Sequence, residues 1–274
     1  MTKHKQPDHQ EVRDFYDTLA PEYDAMTSFE QRFIREKPFF RMLIERYGIR
    51  TAIDAGCGTG FHSLLLAQLG VKVTAVDLSP EMLTRVRDHA ETMDIKLTTL
   101  QAEFHKLAAI VREPVDAVFC LGNSLAHLLS AEELTDALKN FAALLRPNGV
   151  LLLQNLNYHR ILLQRERVQS IKDNGTKTYV RFYDFTDPLV FFNILTIDRQ
   201  EGSIRQTLHT VPLRPILLDE IVPLLRSAGF SEIKAFGGIS MEEFRPESSQ
   251  DLVILARTAE MGGPRSSLKA ERRE

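Results

Sequence analysis

The chain has few of the features that mark secreted, membrane-spanning or metal-stabilised proteins. Only two cysteines, Cys57 and Cys120, occur in 274 residues, which argues against a disulfide framework or a cysteine-rich zinc site. No stretch approaches the roughly 18 consecutive apolar residues that a membrane span needs. The polar segment 1–7 has no apolar core behind it and does not resemble a secretory signal. We therefore expect a cytoplasmic protein that does not associate with membranes.

A strong charge of either sign is also missing. The net charge is −3 and the sequence pI is about 6.3, which argues against a protein that binds nucleic acid by electrostatic attraction. The histidines are scattered, and neither H-x-x-x-H nor C-x-x-C occurs, so we expect no metal site. The length suffices for one large α/β domain with an embellishment, or for two small domains.

The most informative segment is an apolar strand that runs into a glycine-dense turn. The strand is Thr51–Ala55, and the glycines follow as Gly56-x-Gly58-x-Gly60. Glycines let the backbone turn sharply and approach a ligand closely. The spacing differs from the G-x-G-x-x-G of dinucleotide-binding loops, which hold a pyrophosphate. Asp77, at the end of the next strand, is placed to accept hydrogen bonds from both hydroxyls of a ribose.

Strands and helices alternate along most of the chain, and the alternation predicts parallel pairing with right-handed crossovers. Helix starts are marked by Ser79 before Pro80 and by Ser130 with Glu133 three residues on. The predicted strands are Thr51–Ala55, Lys72–Asp77, Lys96–Gln101, Val115–Cys120, Val150–Asn155, Ser231–Phe236 and Leu252–Arg257. The predicted helices are Phe61–Leu69, Pro80–Thr92, Ala131–Leu145 and Leu217–Ala228. We expect an α/β, doubly wound, mostly parallel seven-stranded sheet.

Three segments flank or interrupt this core. Residues 1–47 are rich in aromatic side chains, and we expect a helical cap, punctuated by Pro21 and Pro38, with a disordered start. The domain 48–257 contains an insertion, 170–212, that alternates as a three-stranded antiparallel meander. This insertion is placed either to cover the substrate or to form a homo-oligomer contact. The tail 258–274 has little apolar content and is predicted to be disordered.

The glycine motif, led by Asp54, resembles motif I of the class I S-adenosylmethionine-dependent methyltransferases. A second segment narrows the resemblance: Leu121-Gly122-Asn123-Ser124-Leu125-Ala126-His127 is similar to a segment of glycine N-methyltransferase and its sarcosine-type relatives. The similarity runs from about Tyr23 to Tyr158 and continues more weakly to about Arg257. The resemblance implies S-adenosylmethionine as cofactor and S-adenosylhomocysteine as product. It also implies in-line transfer of a methyl group to a small-molecule acceptor, and the favoured acceptor is an amine.

Cofactor contacts are expected at the carboxyl ends of the strands. Glu103 is placed to accept a hydrogen bond from the adenine amine, with Phe104 against the adenine ring. Asp54 is placed either to orient the glycine loop through backbone N–H groups or to reach the methionine ammonium. The resemblance implies that Arg32 pairs with the methionine carboxylate and that the Leu121 carbonyl accepts from its amine. The full set of expected cofactor-binding residues is Arg32, Asp54, Ala55, Gly56, Gly58, Asp77, Leu78, Glu103, Phe104 and Leu121.

Residues at the acceptor are expected from the same resemblance. Asn123 falls where an asparagine helps to hold the acceptor, and Tyr158 belongs to an Asn-Tyr pair that matches the family. Tyr16 and Tyr23 resemble the cap tyrosines that border the transferred methyl group. The predicted catalytic set is therefore Tyr16, Tyr23, Asn123 and Tyr158, whereas His127 is interpreted as structural.

One position departs from the glycine methyltransferases. Where they place an arginine that clamps the acceptor's carboxylate, this chain has Leu156. A leucine offers no guanidinium fork, and loss of such a charged pair costs about 2–5 kcal/mol of recognition. Glycine is therefore predicted to be a poor substrate, and Arg181 on the meander is a candidate replacement clamp.

Other functions stay open at this point. The acceptor atom is an amine nitrogen in the favoured interpretation, with an oxygen or a carbon of a small metabolite as the alternative. A non-catalytic module that binds S-adenosylmethionine is a second alternative. A nucleic-acid methyltransferase is disfavoured, because an Asn-Pro-Pro-Tyr type motif is absent after the fourth strand and the chain is slightly acidic.

Overall fold

The protein is described by a computed structural model that covers residues 9–21, 23–24, 29–200 and 203–260. Within these ranges, α1 (His9–Leu19) and α2 (Phe29–Tyr47) precede the first strand. The alternating core follows with β1 (Thr51–Ala55), α3 (Phe61–Gln68), β2 (Lys72–Asp77), α4 (Pro80–Thr92), β3 (Thr98–Gln101), α5 (Leu107–Ile110), β4 (Val115–Cys120), α6 (Ala131–Leu144) and β5 (Leu145–Leu156).

The rest of the described chain contains a second sheet and the end of the first. Its elements are α7 (Tyr158–Gln164), β6 (Val168–Asp173), β7 (Lys177–Thr186), β8 (Leu189–Gln200), β9 (Ser203–Leu213), α8 (Leu218–Ser227), β10 (Lys234–Phe236) and β11 (Asp251–Arg257). Within the described ranges, no helix is long and apolar enough to cross a membrane.

The main sheet of the described residues has seven strands in the order β3-β2-β1-β4-β5-β11-β10. Strands β1 to β5 pair in parallel, whereas β11 runs antiparallel to both β5 and β10. The predicted fold class is confirmed. Strand order reverses between β1 and β4, because the chain builds one half of the sheet outward from β1 before it returns to β4. The carboxyl ends of these two strands are therefore the expected ligand site.

Local sequence signals explain where two of the core helices start. Ser79 accepts a hydrogen bond from the Met82 N–H and is followed by Pro80 at the first helical position of α4. Ser130 and Glu133 form a complete capping box at the start of α6, which satisfies backbone N–H groups that have no partner within the helix. Both predicted starts are confirmed.

Apolar side chains are buried on both faces of the main sheet. One layer joins α6 and α8 to the sheet and includes Phe141 and Ile221, both fully buried. The other joins α2 and α3 to the opposite face and includes Phe40 and Leu65. The sheet is thus covered on both sides, as parallel sheets require, and only its strand ends are available to ligands.

The inserted sheet has one strand more than the meander that the sequence predicts. Its order is β6-β7-β8-β9, all antiparallel. The additional strand, β6, is a largely exposed edge with only Ser170 partly buried, so its sequence lacks the apolar alternation by which strands are recognised. A turn at residues 187–188 joins β7 to β8, whereas residues 201–202, between β8 and β9, lie outside the described residues.

Helix α1 packs on the inserted sheet rather than on the main one. Phe15 and Leu19 of this helix are buried against Tyr179, Ile194 and Val211 of the sheet. The helix and the inserted sheet together form a roof above the strand ends. Pro38 lies inside α2 and does not interrupt it, contrary to the prediction. The predicted disordered start falls largely on residues 1–8, and most of the tail on 261–274, both outside the described residues; Thr258 bridges to Phe230.

The capping box yields a stability prediction. Replacing Ser130 with alanine removes the acceptor of the Glu133 N–H, so we expect the free energy of unfolding to fall by about 1 kcal/mol. Urea denaturation followed by circular dichroism measures this change. The matched control is Ser227→Ala, near the end of α8, where a change within about 0.5 kcal/mol is expected. Equal effects of the two substitutions would contradict the capping argument.

Candidate active site

The glycine turn after β1 has a backbone that side chains would obstruct. Gly56, Gly58 and Gly60 all have positive φ angles, of 74°, 55° and 90°. A Cβ on Gly56 would lie 2.6 Å from the Ser124 Oγ, and one on Gly60 would lie 2.9 Å from a methyl carbon of Val86. A Cβ on Gly58 would meet only Tyr23, at 3.8 Å. Two of these glycines therefore permit close packing of the loop, and Gly58 leaves its surface open to a ligand.

Asp77 ties this loop to the end of β2. One carboxylate oxygen accepts from the Gly58 N–H at 2.8 Å, and the other accepts from the Ser79 N–H at 2.9 Å. Burial raises the pKa of Asp77 to about 6, although both N–H groups favour the ionised form. Each oxygen has a second lone pair, so the fixed carboxylate can also accept from a ribose diol.

A cavity of about 140 Å³ opens above this carboxylate. Its wall includes eight of the ten residues that the sequence predicts for the cofactor: Arg32, Gly56, Gly58, Asp77, Leu78, Glu103, Phe104 and Leu121. Tyr16 and Tyr23, from the predicted catalytic set, also line it. We call it the cofactor cavity. The predicted residues thus come together from five separate parts of the chain, although the assignment of their individual roles stays a prediction.

Two residues of the predicted cofactor set lie behind the loop. Among the described residues, Asp54 and Ala55 are almost completely buried and are not part of the cavity wall. The Asp54 carboxylate accepts from the Ser63 hydroxyl at 2.6 Å, instead of from the glycine-loop amides that the sequence suggested. Burial raises the pKa of Asp54. Its observed contact therefore fixes α3 relative to β1, because β1 points the side chain toward that helix.

Glu103 and Phe104 lie on the far side of the cofactor cavity. Glu103 accepts from the Lys106 ammonium at 2.6 Å and lies 3.8 Å from His9 of α1. Phe104 makes an edge contact with Phe141, with ring centroids 5.5 Å apart, and lies against the glycine loop. The ring is therefore held by the core while its other surface contributes to the cavity, as a base-stacking residue would require.

The cap is attached to the cofactor cavity by polar contacts that the sequence analysis did not identify. Asp17 accepts from the Ser79 hydroxyl, and Asp24 accepts from the Thr59 hydroxyl and pairs with His89 at 3.0 Å. The hydrogen bond that His89 donates to the Asp24 carboxylate raises the pKa of His89. No local sequence pattern predicts these contacts, because each joins residues more than 30 positions apart.

Arg32 lies at the boundary of two cavities. Its Nε donates to Glu36 at 2.9 Å, and its guanidinium lies over the Phe61 ring at 4.1 Å. Glu36 is buried and also contacts His62 at 3.2 Å. Burial opposes ionisation of Glu36, but the contacts to His62 and Arg32 lower its pKa to about 2. The resulting charge network orients Arg32 and supports its predicted role toward a carboxylate.

A second cavity, of about 760 Å³, lies next to the first and beneath the roof. We call it the acceptor cavity. Its wall combines Phe15 and Leu19 of α1, Phe192 and Ile194 of the inserted sheet, and the ends of β4 and β5. The two cavities share Tyr16, Tyr23, Arg32, Gly122 and His127. These shared residues mark the junction through which a group can pass from one cavity to the other.

Two of the junction residues form a hydrogen-bonded pair. The Tyr16 hydroxyl lies 2.8 Å from the His127 Nε2, and Tyr23 makes an edge contact with Tyr16. Burial lowers the pKa of His127 to about 4, so the ring is neutral near pH 7. Burial raises the pKa of Tyr16, which keeps its hydroxyl protonated. His127 therefore fixes the direction of the Tyr16 hydroxyl.

Asn123 and Tyr158 differ in their access to the acceptor cavity. Asn123 lines it, while its amide donates to the Tyr158 hydroxyl at 2.9 Å and accepts from the Leu156 N–H at 3.1 Å. Tyr158, in contrast, is 0% exposed. Its side chain lines neither of the two cavities described here. Helix α7 turns the Tyr158 ring into the core beneath the inserted sheet, and its role toward the acceptor stays a prediction.

The residue that replaces the family's arginine and the candidate replacement clamp face the same cavity. Leu156, at the end of β5, and Arg181, on β7, both line the acceptor cavity. Gln154 and Asp251, which hydrogen-bond to each other at 3.1 Å, contribute a polar region of the same wall. The sequence analysis did not identify Gln154 and Asp251, because their proximity depends on the antiparallel pairing of β11 with β5.

Comparisons with known proteins agree with this geometry. A family model described as a methyltransferase domain matches residues 52–149. Glycine/sarcosine N-methyltransferase of Parasynechococcus marenigrum is 30% identical over 246 residues, which cover 89% of this chain and 84% of the relative. The enzyme of the same name from Aphanothece halophytica is 30% identical, with 83% of this chain and 86% of the relative covered. The chain belongs to the glycine/sarcosine N-methyltransferase family.

A solved structure confirms the fold of this family member. An S-adenosylmethionine-dependent methyltransferase from Clostridium acetobutylicum superposes with a TM-score of 0.77 at 17% identity, covering 89% of this chain and 99% of that one. The predicted enzyme class, a methyltransferase that uses S-adenosylmethionine, is confirmed by these matches together. The residues of the cofactor cavity also fit the cofactor, because Gly58 is open to a ligand and Asp77 is held with lone pairs available.

Asp77 provides a test of the cofactor cavity. Asp77→Ala is expected to weaken S-adenosylmethionine binding about a hundredfold, because hydrogen bonds to a charged acceptor contribute about 2–3 kcal/mol. In the native protein the affinity should be constant above about pH 7 and should fall as the pH drops below 6, where the carboxylate becomes protonated. Calorimetric titration between pH 5 and 8 measures both effects.

The control for this prediction is Asp88→Ala, an exposed acid on α4, which should bind like the native protein at every pH. The Asp77 variant should also lose the part of the pH dependence that comes from this carboxylate. An unchanged dissociation constant in Asp77→Ala would exclude a direct role for this residue.

Asn123 and Tyr158 are distinguished by a second pair of variants. Asn123→Ala removes the partner of a buried hydroxyl and is expected to lower the free energy of unfolding by about 1–3 kcal/mol and to reduce turnover, with cofactor affinity nearly unchanged. Tyr158→Phe retains the buried ring and should leave turnover within about threefold of the native value. Turnover assays and urea denaturation measure these outcomes. A large loss of turnover in Tyr158→Phe would support the place of Tyr158 in the predicted catalytic set.

Proposed function

We propose that the protein transfers a methyl group from S-adenosylmethionine to the nitrogen of a small amine held in the acceptor cavity. The observation that carries this proposal is the junction: the cofactor cavity and the acceptor cavity meet at Tyr16, Tyr23 and His127. Family membership supports an amine acceptor, because two relatives that each match more than four fifths of this chain are named for N-methylation of glycine and sarcosine.

Each part of the chain has a defined task in this proposal. Asp77 and the glycine loop hold the cofactor, which supplies an electrophilic methyl group on its sulfonium sulfur. Arg32 orients the cofactor's amino-acid end from the cap. The Tyr16 hydroxyl, directed by His127, and the Asn123 amide orient the amine at the junction. Positioning of this kind accounts for several kcal/mol of a transfer barrier when reacting atoms are held roughly 3–3.5 Å apart.

The roof covers the junction with apolar side chains. Phe15 and Leu19 are buried between the inserted sheet and the acceptor cavity. An amine that leaves water for the space beneath these two side chains is favoured in its neutral form, because burial disfavours a charged group. The neutral form has the free lone pair that the reaction requires, so the enclosure itself selects the reactive species and no strong base is needed.

Leu156 argues against glycine as the preferred acceptor. It stands at the end of β5, beside the Asn123 amide that accepts from its N–H, and presents an apolar side chain to the cavity. A carboxylate placed there gains no charged partner from this residue. We therefore propose an amine other than glycine, with its remaining atoms in the larger part of the acceptor cavity.

A panel of primary amines and amino acids tests the proposed function. With native protein and S-adenosylmethionine, S-adenosylhomocysteine release should saturate with at least one amine, while glycine should show a kcat/KM lower than that acceptor by at least about tenfold, equivalent to about 1.4 kcal/mol. A panel of matched alcohols is the control for oxygen acceptors. Saturable glycine turnover at micromolar concentrations would contradict the argument from Leu156, and turnover of alcohols alone would contradict N-methylation.

A further inference from the structure

Arg181 is a cation that the inserted sheet directs toward the acceptor cavity. It lies on β7, where it pairs in register with Ser170 of β6 and Ile194 of β8. Its neighbours on the same face of β7 are Tyr179 and Tyr183, and both are buried, since alternate residues of a strand face the same side. Arg181 is therefore a charged residue within an aromatic and apolar surface that forms the roof of the cavity.

This position removes Arg181 partly from water. The side chain is half-buried, and burial lowers the pKa of Arg181 while nearby tyrosines, with Tyr23 the strongest, oppose the change. A guanidinium nevertheless remains protonated at neutral pH. A partly desolvated positive charge in a cavity wall is stabilised by an anionic ligand, and a carboxylate matches the two parallel donors of a guanidinium.

A second cation lies beside the first. Lys172 of β6 pairs in register with Tyr179, so it is a diagonal neighbour of Arg181 on the same face, at the roughly 7–8 Å typical of such pairs. Lys172 also lines the acceptor cavity. The inserted sheet thus brings two positive charges to one region of the roof, which we call the roof cations.

The part of the wall at the end of β5 has different chemistry. Leu156, at the end of β5, contributes an apolar side chain to the cavity, and Gln154 and Asp251 beside it form a polar, acidic region. A carboxylate near this wall would meet leucine and a negative charge, whereas a carboxylate near the roof would meet Arg181 and Lys172. The charge distribution therefore orients an amine that carries a carboxylate.

We infer that the acceptor is an amine whose carboxylate is held from the inserted sheet by Arg181, with Lys172 at its side, and that it is longer than an α-amino acid of two carbons. This inference rests on the proposed N-methylation. A cavity of about 760 Å³ lies within the roughly 300–1,000 Å³ of pockets that enclose drug-sized ligands. Several bonds between nitrogen and carboxylate let the amine reach the junction while the carboxylate stays at the roof.

Matched probes test this inference in the full-length protein. The pairs are 4-aminobutyrate with butylamine and 5-aminopentanoate with pentylamine, so that each pair differs chiefly in the carboxylate. The native enzyme should show a KM at least tenfold lower for the amino acid of each pair. Arg181→Gln should raise the KM of the amino acids by ten- to a hundredfold, leave kcat and the KM of the plain amines within about threefold, and leave S-adenosylmethionine affinity unchanged.

Two further variants serve as controls. Arg199→Gln removes an arginine from the exposed outer face of the same sheet, where it pairs with Asp173, and should leave every KM unchanged. Arg181→Lys keeps the charge and should recover part of the lost affinity. A double variant, Leu156→Arg with Arg181→Leu, moves the cation from the roof to the end of β5 and should raise the kcat/KM of glycine at least tenfold while it lowers that of 4-aminobutyrate.

A binding measurement separates the failure of this inference from that of the proposed function. In the presence of S-adenosylhomocysteine, 4-aminobutyrate or 5-aminopentanoate should raise the thermal midpoint of the native protein but not of Arg181→Gln, because a ligand of the folded state stabilises it. Such a shift without turnover would support the carboxylate site and overturn N-methylation. The carboxylate site alone would be overturned if the amino acids and their matched plain amines were turned over with equal KM values. The same holds if Arg181→Gln left the KM values of the amino acids unchanged.

Discussion

The hydrogen bond from the Gly58 N–H to the Asp77 carboxylate is the contact on which the functional geometry depends. It connects the turn after β1 to the end of β2, at the edge of the sheet where strand order reverses. The same carboxylate accepts from Ser79 at the start of α4, so one side chain positions a loop, a strand end and a helix start. A ligand that binds Asp77 is therefore aligned with all three before any other contact forms.

The second requirement is enclosure, and it is met by parts of the chain outside the alternating core. Helix α1 packs on the inserted sheet through Phe15 and reaches the core through Asp17 and Ser79. The inserted sheet lies between β5 and α8 in sequence, yet its inner face forms part of the wall of the acceptor cavity. Because burial lowers the pKa of His127 to about 4, this residue of the junction is neutral near pH 7, as the proposed transfer to a neutral amine requires.

Sequence reasoning succeeded where the physics is local. The positive φ angles of the glycine turn and the capping residues Ser79 and Ser130 are determined by a few neighbouring residues, so most core strands and helices were predictable, with β3, β5 and β10 differing at their starts. Strand β6 was not predicted, because an exposed edge needs no apolar pattern. The burial of Tyr158 was not predicted either, since membership of an Asn-Tyr pair does not reveal which way a helix turns the ring. The environment of Asp54 likewise depends on the packing of α3.

The positions of Leu156 and Arg181 follow from this division of labour. The core supplies a cofactor site whose shape leaves little freedom, because Asp77, Gly56 and Gly58 are each constrained by close contacts. The inserted sheet lies outside those contacts, since it packs on α1, on α7 and on the segment that follows β4. In the proposed recognition, a positive charge on β7, at Arg181, takes the place of one at the end of β5, at the position of Leu156. This difference changes which acceptor fits without disturbing how the cofactor is held. Acceptor recognition can thus be determined by the roof, while the chemistry stays with the strand ends below it.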